Sequence, residues 1–207
     1  MTDPNAGGET ELLRKIRAGD EEAFIRLYRE RQASIYRFAL QMSGSPSLAE
    51  DVTQEVFLTL MREARKFDPR RGPLAAYLYG IARNLVADHL RQTRWESGLA
   101  QGDEEGEGWA RLKASGDPLA DMTRREAGEA LRQAILVLPR HYREVVVLCE
   151  LHEMDCARAA KILGCAVGTV RSRLCRARGL LAKRLGAQEK ELAGEGVQDL
   201  KATRWAL

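Results

Sequence analysis

Aromatic residues are scarce in this chain of 207 residues, at 6%, and only three of them are tryptophan. So few large rings suit a helical protein with a modest core. Strand signals are nearly absent. The one β-branched run, Val145-Val146-Val147, is flanked by helix formers and fits a buried helix face, so the fold class read here is all-α. No stretch approaches the roughly 20 apolar residues that a bilayer span needs, and no membrane insertion is expected. Residues 1–11 are polar and acidic without an apolar run, so no export signal is expected and the chain should stay in the cytoplasm. There is no glycine loop for phosphates. Three histidines without a nucleophile arrangement make no active site, so neither an enzyme nor a cofactor is expected.

Charge is present but segregated. The formal net charge is only +3. Yet Cys156 to Leu185 carries eight basic residues and no acidic one, while Ser97 to Asp121 carries six acidic residues against two basic. Such separation is an electrostatic footprint that the net value hides.

Punctuation divides the chain into helices. Glu11 to Ala18 reads as a short helix stopped by Gly19, and Asp20 caps a long helix to about Met42. Ser43-Gly44-Ser45-Pro46 is a turn before a helix over about 47–66, and Asp68-Pro69-Arg70-Arg71-Gly72-Pro73 breaks it. A fourth helix spans about 74–95. The Gly-, Asp- and Glu-rich stretch after it reads as a flexible acidic linker with one aromatic, Trp109. Helices follow over about 123–138, 139–151, 155–163 and 167–185. The expected organisation is two small helical domains, 10–96 and 122–185, joined by a linker at 97–121. Residues 186–207, with Gly186, Gly194 and Gly196, read as a weakly structured tail, with an extra regulatory helix as the alternative.

The most specific local pattern is Ala159 to Leu174. A short apolar helix ends at Gly164, two residues turn, and a second helix begins. In that helix Val167, Val170, Leu174, Ala177, Leu181 and Leu185 recur at three-four spacing as a buried seam. Thr169, Ser172, Arg173 and Arg176 share another face, with Arg171 and Arg178 beside it. Arginine forks onto guanine edges, and short hydroxyls bind phosphates or bases. Ala160 permits close helix approach, Gly164 supplies a left-handed turn and Val170 plugs the angle. This is the build of a helix-turn-helix whose second helix enters a DNA groove, the alternative being a solvated basic helix on a bundle.

Two N-terminal segments are less generic. Glu50, Asp51, Gln54 and Glu55 form an acidic and amide face beside an apolar stripe, either solvated or a docking face. Tyr77, Tyr79, Arg83, Asn84, His89 and Arg91 interleave aromatics with cations on the fourth helix, behind the basic Arg70-Arg71 loop. Such a mixture suits either unpaired bases and phosphates or ordinary packing.

Together these segments resemble the sigma factors of bacterial RNA polymerase, of the compact extracytoplasmic-function (ECF) group. The resemblance is carried by Ala23-Phe24 with Leu27-Tyr28, by Ala49-Glu50-Asp51 with Gln54-Glu55-Val56-Phe57, and by Leu78 to Asn84 with Asp88-His89-Leu90-Arg91. It continues through Leu138-Pro139 with Arg143-Glu144-Val145, and through Gly168 to Leu174 with Arg176-Ala177-Arg178. It spans roughly Asp20 to Leu185. The resemblance implies a dissociable specificity subunit that directs promoter-specific initiation, in response to a stress or envelope signal. In such a protein a region 2-like domain joins a region 4-like domain. Glu50, Asp51, Gln54 and Glu55 would dock on the β′ clamp coiled coil of the polymerase core, which also offers its β flap. Arg70, Arg71, Tyr77, Tyr79, Arg83, Asn84, His89 and Arg91 would meet the minus-ten element. Thr169, Arg171, Ser172, Arg173, Cys175, Arg176 and Arg178 would meet the minus-thirty-five element. An anti-sigma factor is an expected partner. The competing reading is a helix-turn-helix regulator that never joins the polymerase.

The chain departs from the family pattern in places. Tyr77 stands where tryptophan is usual, and Ala166 where serine commonly caps the recognition helix. Arg158 and Ala159 replace the usual glutamate and isoleucine, and Cys175 takes a place where a bulkier residue is common. All four cysteines, at 149, 156, 165 and 175, lie in the last third. Cys149, His152 and Cys156, with Cys165, have zinc-compatible spacing, and Cys175 beside basic residues has the setting of a reactive thiol. The plain alternative is that Cys149 and Cys165 are small core hydrophobes.

Overall fold

The computed structural model describes residues 6–69, 72–96 and 122–203. Arg70, Arg71 and the acidic 97–121 segment lie outside the described residues. Among the described residues there is no strand, as the sequence predicts. The helices are α1 (Ala6–Arg17), α2 (Glu21–Ser43), α3 (Pro46–Glu63), α4 (Leu74–Glu96), α5 (Met122–Leu136), α6 (Arg140–Val146), α7 (Cys156–Leu163) and α8 (Val167–Thr203).

Local chemistry sets the boundaries. Asp20 accepts a hydrogen bond from the Ala23 amide at 3.0 Å and so caps α2. Gly44 ends that helix in the left-handed region at φ 73°, its N–H donating to the Leu40 carbonyl. Ser45 then caps α3, accepting from the Leu48 amide at 3.3 Å, and Pro46 takes the first helical turn, where a missing N–H is harmless.

The first four helices form one half of the molecule. α2 packs along α3 and α4, burying Leu27, Ile35, Phe38, Val52, Val56, Leu60, Leu78 and Val86. In the second half α5 and α6 pack on α7 and α8 around Val145, Leu148, Ala159 and Val170. The halves do not stand apart. Their apolar residues form one continuous cluster, with α5 and α7 resting on α2 and α4. One close approach is backbone to side chain: a Cβ placed on Gly44 would lie 2.8 Å from Leu136 Cδ1.

Two elements differ from the sequence expectation. The helix expected over 139–151 stops at Val146 and gives way to a π turn, Val147–Leu151, where the His152 amide reaches the Val147 carbonyl at 3.0 Å. The weakly structured tail expected after Leu185 is also corrected, because α8 continues to Thr203. Ala187 to Ala193 is a run of strong helix formers and no proline follows Pro139, so Gly186, Gly194 and Gly196 weaken the helix, at about 1 kcal/mol each, without ending it.

Candidate functional site

The helix-turn-helix is built from its caps. Asp155, which the sequence reading passed over, accepts from the Ala157 and Arg158 amides at 2.9 and 2.8 Å and starts α7. Its signal was local, an aspartate just before the first helical residue. Gly164 closes α7 at φ 64° and ψ 34°, donating to the Ala160 carbonyl. Val170 is wholly buried between the helices, with Leu174 and Ala177 along the same seam. Ala166 offers only its carbonyl, which accepts from the Thr169 and Val170 amides. Away from the seam, Arg171, Ser172, Cys175, Arg176 and Arg178 are exposed, while Thr169 and Arg173 are half-buried. Ser172 turns its hydroxyl to the Thr169 carbonyl at 3.0 Å. Arg178 is held by Glu150 at 2.5 Å, a pairing that raises the arginine's pKa. The exposed face therefore presents Arg171 and Arg176 outward on a rigid helix.

A second surface lies on α3. Glu50, Asp51 and Gln54 are exposed and Glu55 is half-buried, the last held by Arg62. Glu50, Thr53 and Gln54 border a groove of about 320 Å³ against Tyr28, Gln32, Ala33 and Tyr36 of α2. Leu58 and Met61 continue the stripe one and two turns beyond Gln54, 49% and 57% exposed. The sequence reading missed them. Their signal was spacing, since Gln54, Leu58 and Met61 fall on one helical face while Val52, Val56 and Leu60 already fill the buried one. Acid, amide and exposed apolar groups on one face suit a protein partner better than solvent.

The aromatic and cationic set on α4 is split. Tyr77 is half-buried against Phe67, ring centroids 5.3 Å apart, and burial raises its hydroxyl pKa. Tyr77 and Asn84 share the wall of an open cavity of about 330 Å³ with Phe67 and Ile81, bordered from the other half by Lys161 and Ile162. Tyr79 is only 5% exposed. It sits edge-on between Phe38 and His152, at 5.2 and 5.4 Å. Its hydroxyl lies 2.9 Å from His152 Nδ1, and His152 Nε2 lies 2.9 Å from Gln41 Oε1. With Nε2–H donating to Gln41, Nδ1 accepts from the tyrosine. Arg83 reaches across to both carboxylate oxygens of Glu144, at 2.8 and 3.3 Å. His89 is exposed, and Arg91 pairs with Asp88 at 2.9 Å.

Electrostatics tie these groups together. Glu144 is 2% exposed and accepts from Arg140 at 3.0 Å as well as from Arg83. Neighbouring Arg143 is equally buried. It donates to the Met42 carbonyl at 2.7 Å, to the Leu138 carbonyl at 3.1 Å and to the Leu136 carbonyl, which places a cation at the carbonyl ends of α2 and α5. Burial lowers its pKa to about 10, with Glu144 acting the other way, so it stays charged at neutral pH. Burial and then Arg37 lower the His152 pKa to about 4.

The zinc reading of the cysteines does not fit. Both His152 nitrogens are engaged, and no group of three His, Cys, Asp or Glu side chains among the described residues is arranged for a metal. Burial, then Cys156, pushes the Cys149 thiol up to about 11, the character of a packed thiol. Cys175 is exposed.

Residues 22–96 match the family Sigma-70 region 2, and residues 128–181 match Sigma-70, region 4. The chain is 31% identical over 180 residues to the ECF RNA polymerase sigma factor SigW of Bacillus subtilis, covering 84% of this chain and 94% of that one. It is 31% identical over 179 residues to the ECF RNA polymerase sigma factor SigM of Mycobacterium tuberculosis, covering 86% and 85%. Among solved structures it resembles CnrH in complex with the cytosolic domain of CnrY, at a TM-score of 0.63 and 24% identity over 86% of this chain and 97% of that one. It also resembles the sigma factor RpoE in complex with the anti-sigma factor NepR from Bartonella quintana, at a TM-score of 0.60 and 24% identity over 79% and 96%. Both structures share its fold.

Proposed function

We propose that this chain, which belongs to the ECF RNA polymerase sigma factors, meets core polymerase through α3 and promoter DNA through α4 and α8. It is a promoter-specificity subunit in transcription initiation. Sigma factors are non-enzymatic transcription factors, and this chain is read as catalysing nothing itself. In this reading the 10–96 and 122–185 segments act as the region 2 and region 4 domains, joined by 97–121.

Glu50, Asp51, Gln54 and Glu55, with Leu58 and Met61, meet the β′ clamp coiled coil. A polar rim around exposed apolar groups is the usual anatomy of such a contact. Tyr77 and Asn84, at one cavity, engage the minus-ten element together with Tyr79, Arg83, His89, Arg91, Arg70 and Arg71. Arg171, Arg173 and Arg176, with Thr169, Ser172, Cys175 and Arg178, read the minus-thirty-five element, and the β flap is a further contact of the C-terminal half. CnrH is seen with the cytosolic domain of CnrY and the Bartonella RpoE with the anti-sigma factor NepR, and an anti-sigma factor belongs to the same reading here, as does a stress or envelope signal. Among the described residues no helix is long and apolar enough to cross a membrane, which supports work in the cytoplasm.

The observation that carries the reading is that one chain holds both a complete helix-turn-helix and a separate exposed acid, amide and apolar stripe. A regulator that never joins the polymerase leaves the stripe unexplained and is not favoured. The test is affinity for core polymerase. Asp51→Ala with Gln54→Ala should weaken core binding about tenfold, the scale of a modest interface hot spot. Unchanged core affinity refutes the α3 assignment.

A further inference from the structure

We propose that the free chain inhibits itself: Glu144 of the C-terminal half holds Arg83 of α4 in the place of a DNA phosphate, and the closed form keeps Arg83 and Tyr79 from DNA. This rests on the reading of α4 as a DNA-binding helix. The argument begins with geometry. Arginine presents a planar fork that fits a carboxylate and a phosphate in the same two-point manner. Arg83 spends Nε and Nη2 on the two oxygens of Glu144, so those donors cannot serve DNA at the same time.

Tyr79 is covered by the same closure. Its ring faces Phe38 and His152, and its hydroxyl is bound by His152 from the other half. A nucleobase has no open ring face on which to stack. Gln41 completes the contact by accepting from His152. Tyr79 and Arg83 are one turn apart on α4, so the two polar links lie on the same side of that helix, and Leu136 seats on Gly44 as a further contact between the halves.

The contact is also reversible by design. When the halves part, Glu144 retains Arg140 at 3.0 Å, so its carboxylate keeps a partner. Arg83, released, gains donors for phosphate. Opening thus exchanges one anion for another at the same guanidinium. A partner that holds the halves apart needs to supply only the work of separating them.

The test uses the full chain without polymerase, in two readouts. Small-angle scattering measures compactness, and fluorescence anisotropy measures binding of a short labelled single-stranded DNA of mixed sequence. Glu144→Gln keeps the size of the side chain and removes its charge. Gln41→Leu breaks the His152 link from the other half and guards against a folding defect peculiar to the first variant. Each should raise the radius of gyration and tighten DNA binding, by about tenfold for Glu144→Gln, the scale of one charge-assisted hydrogen bond. Neither residue is among those assigned to DNA or core, so transcription with saturating core should match wild type. An unchanged radius of gyration in both variants overturns the closure. Opening without tighter DNA binding overturns the inhibition. Run-off transcription by wild type with core polymerase separates the two readings: failure there refutes the sigma assignment, while scattering and anisotropy still decide the closure.

Discussion

Acidification should loosen this molecule through one side chain, His152. Its ring is half-buried between Tyr79 and Gln41, with Phe38 at 6.0 Å and Arg37 as the neighbouring cation. The folded pKa is about 4 against an unfolded value of 6.5. Between those values the unfolded chain binds more protons than the folded one, so stability falls as pH falls through that window and rises as pH rises. Integrating the linkage from pH 7 to pH 5 gives a loss of about 1.8 kcal/mol. The ring is not fully buried, and water screening cuts the expected loss to about 1 kcal/mol. The assay is urea unfolding of wild type and His152→Gln at the two pH values. Carboxylates titrate alike in both proteins and cancel in the difference. Wild type should lose about 1 kcal/mol more than the variant. Equal losses would refute the argument that His152 is held neutral in the seam between the halves.

Two further outcomes test the helix-turn-helix. Gly164→Ala forces a side chain into the left-handed region at φ 64°. Nothing lies within 4 Å of the new methyl, so the cost is conformational alone: roughly 1 kcal/mol, read as a Tm drop of about 2–4 °C. Arg176→Ala removes an exposed cation from α8 and should weaken promoter-specific binding of the holoenzyme by about 1–3 kcal/mol. Core affinity, measured beside it, should stay the same. Loss of both would mean that α8 had lost its fold.

What the sequence disclosed follows from how far each interaction reaches along the chain. Asp20, Gly164 and Val170 act on residues within a turn or two, so their cap, turn and plug are legible in the sequence. Asp155 has the same range and was legible in principle. The α3 stripe is half-legible: its polar members stand out, whereas only spacing separates Leu58 and Met61 from apolar residues that point inward. The closure was not legible. Arg83 meets Glu144, Arg143 meets the Met42 carbonyl, and His152 meets Gln41 across 61, 101 and 111 residues of chain. Each of these side chains looks like any solvated polar residue until the helices are placed. The extension of α8 escaped for a different reason. Glycine was given more weight as a breaker than its cost of about 1 kcal/mol warrants when good helix formers surround it.

Gly44 has a consequence for how such chains vary. It ends α2 in a left-handed turn, and its bare Cα is the surface on which Leu136 of the other half rests. In genetic terms the two positions form one unit of selection. A side chain arriving at 44 is a wedge between the halves, and its natural suppressor is a smaller residue at 136. Asparagine is the substitution least opposed by the backbone, since it tolerates that turn. A relative with a bulky residue in the place of Gly44 has given up this close approach, and its halves must meet along another line.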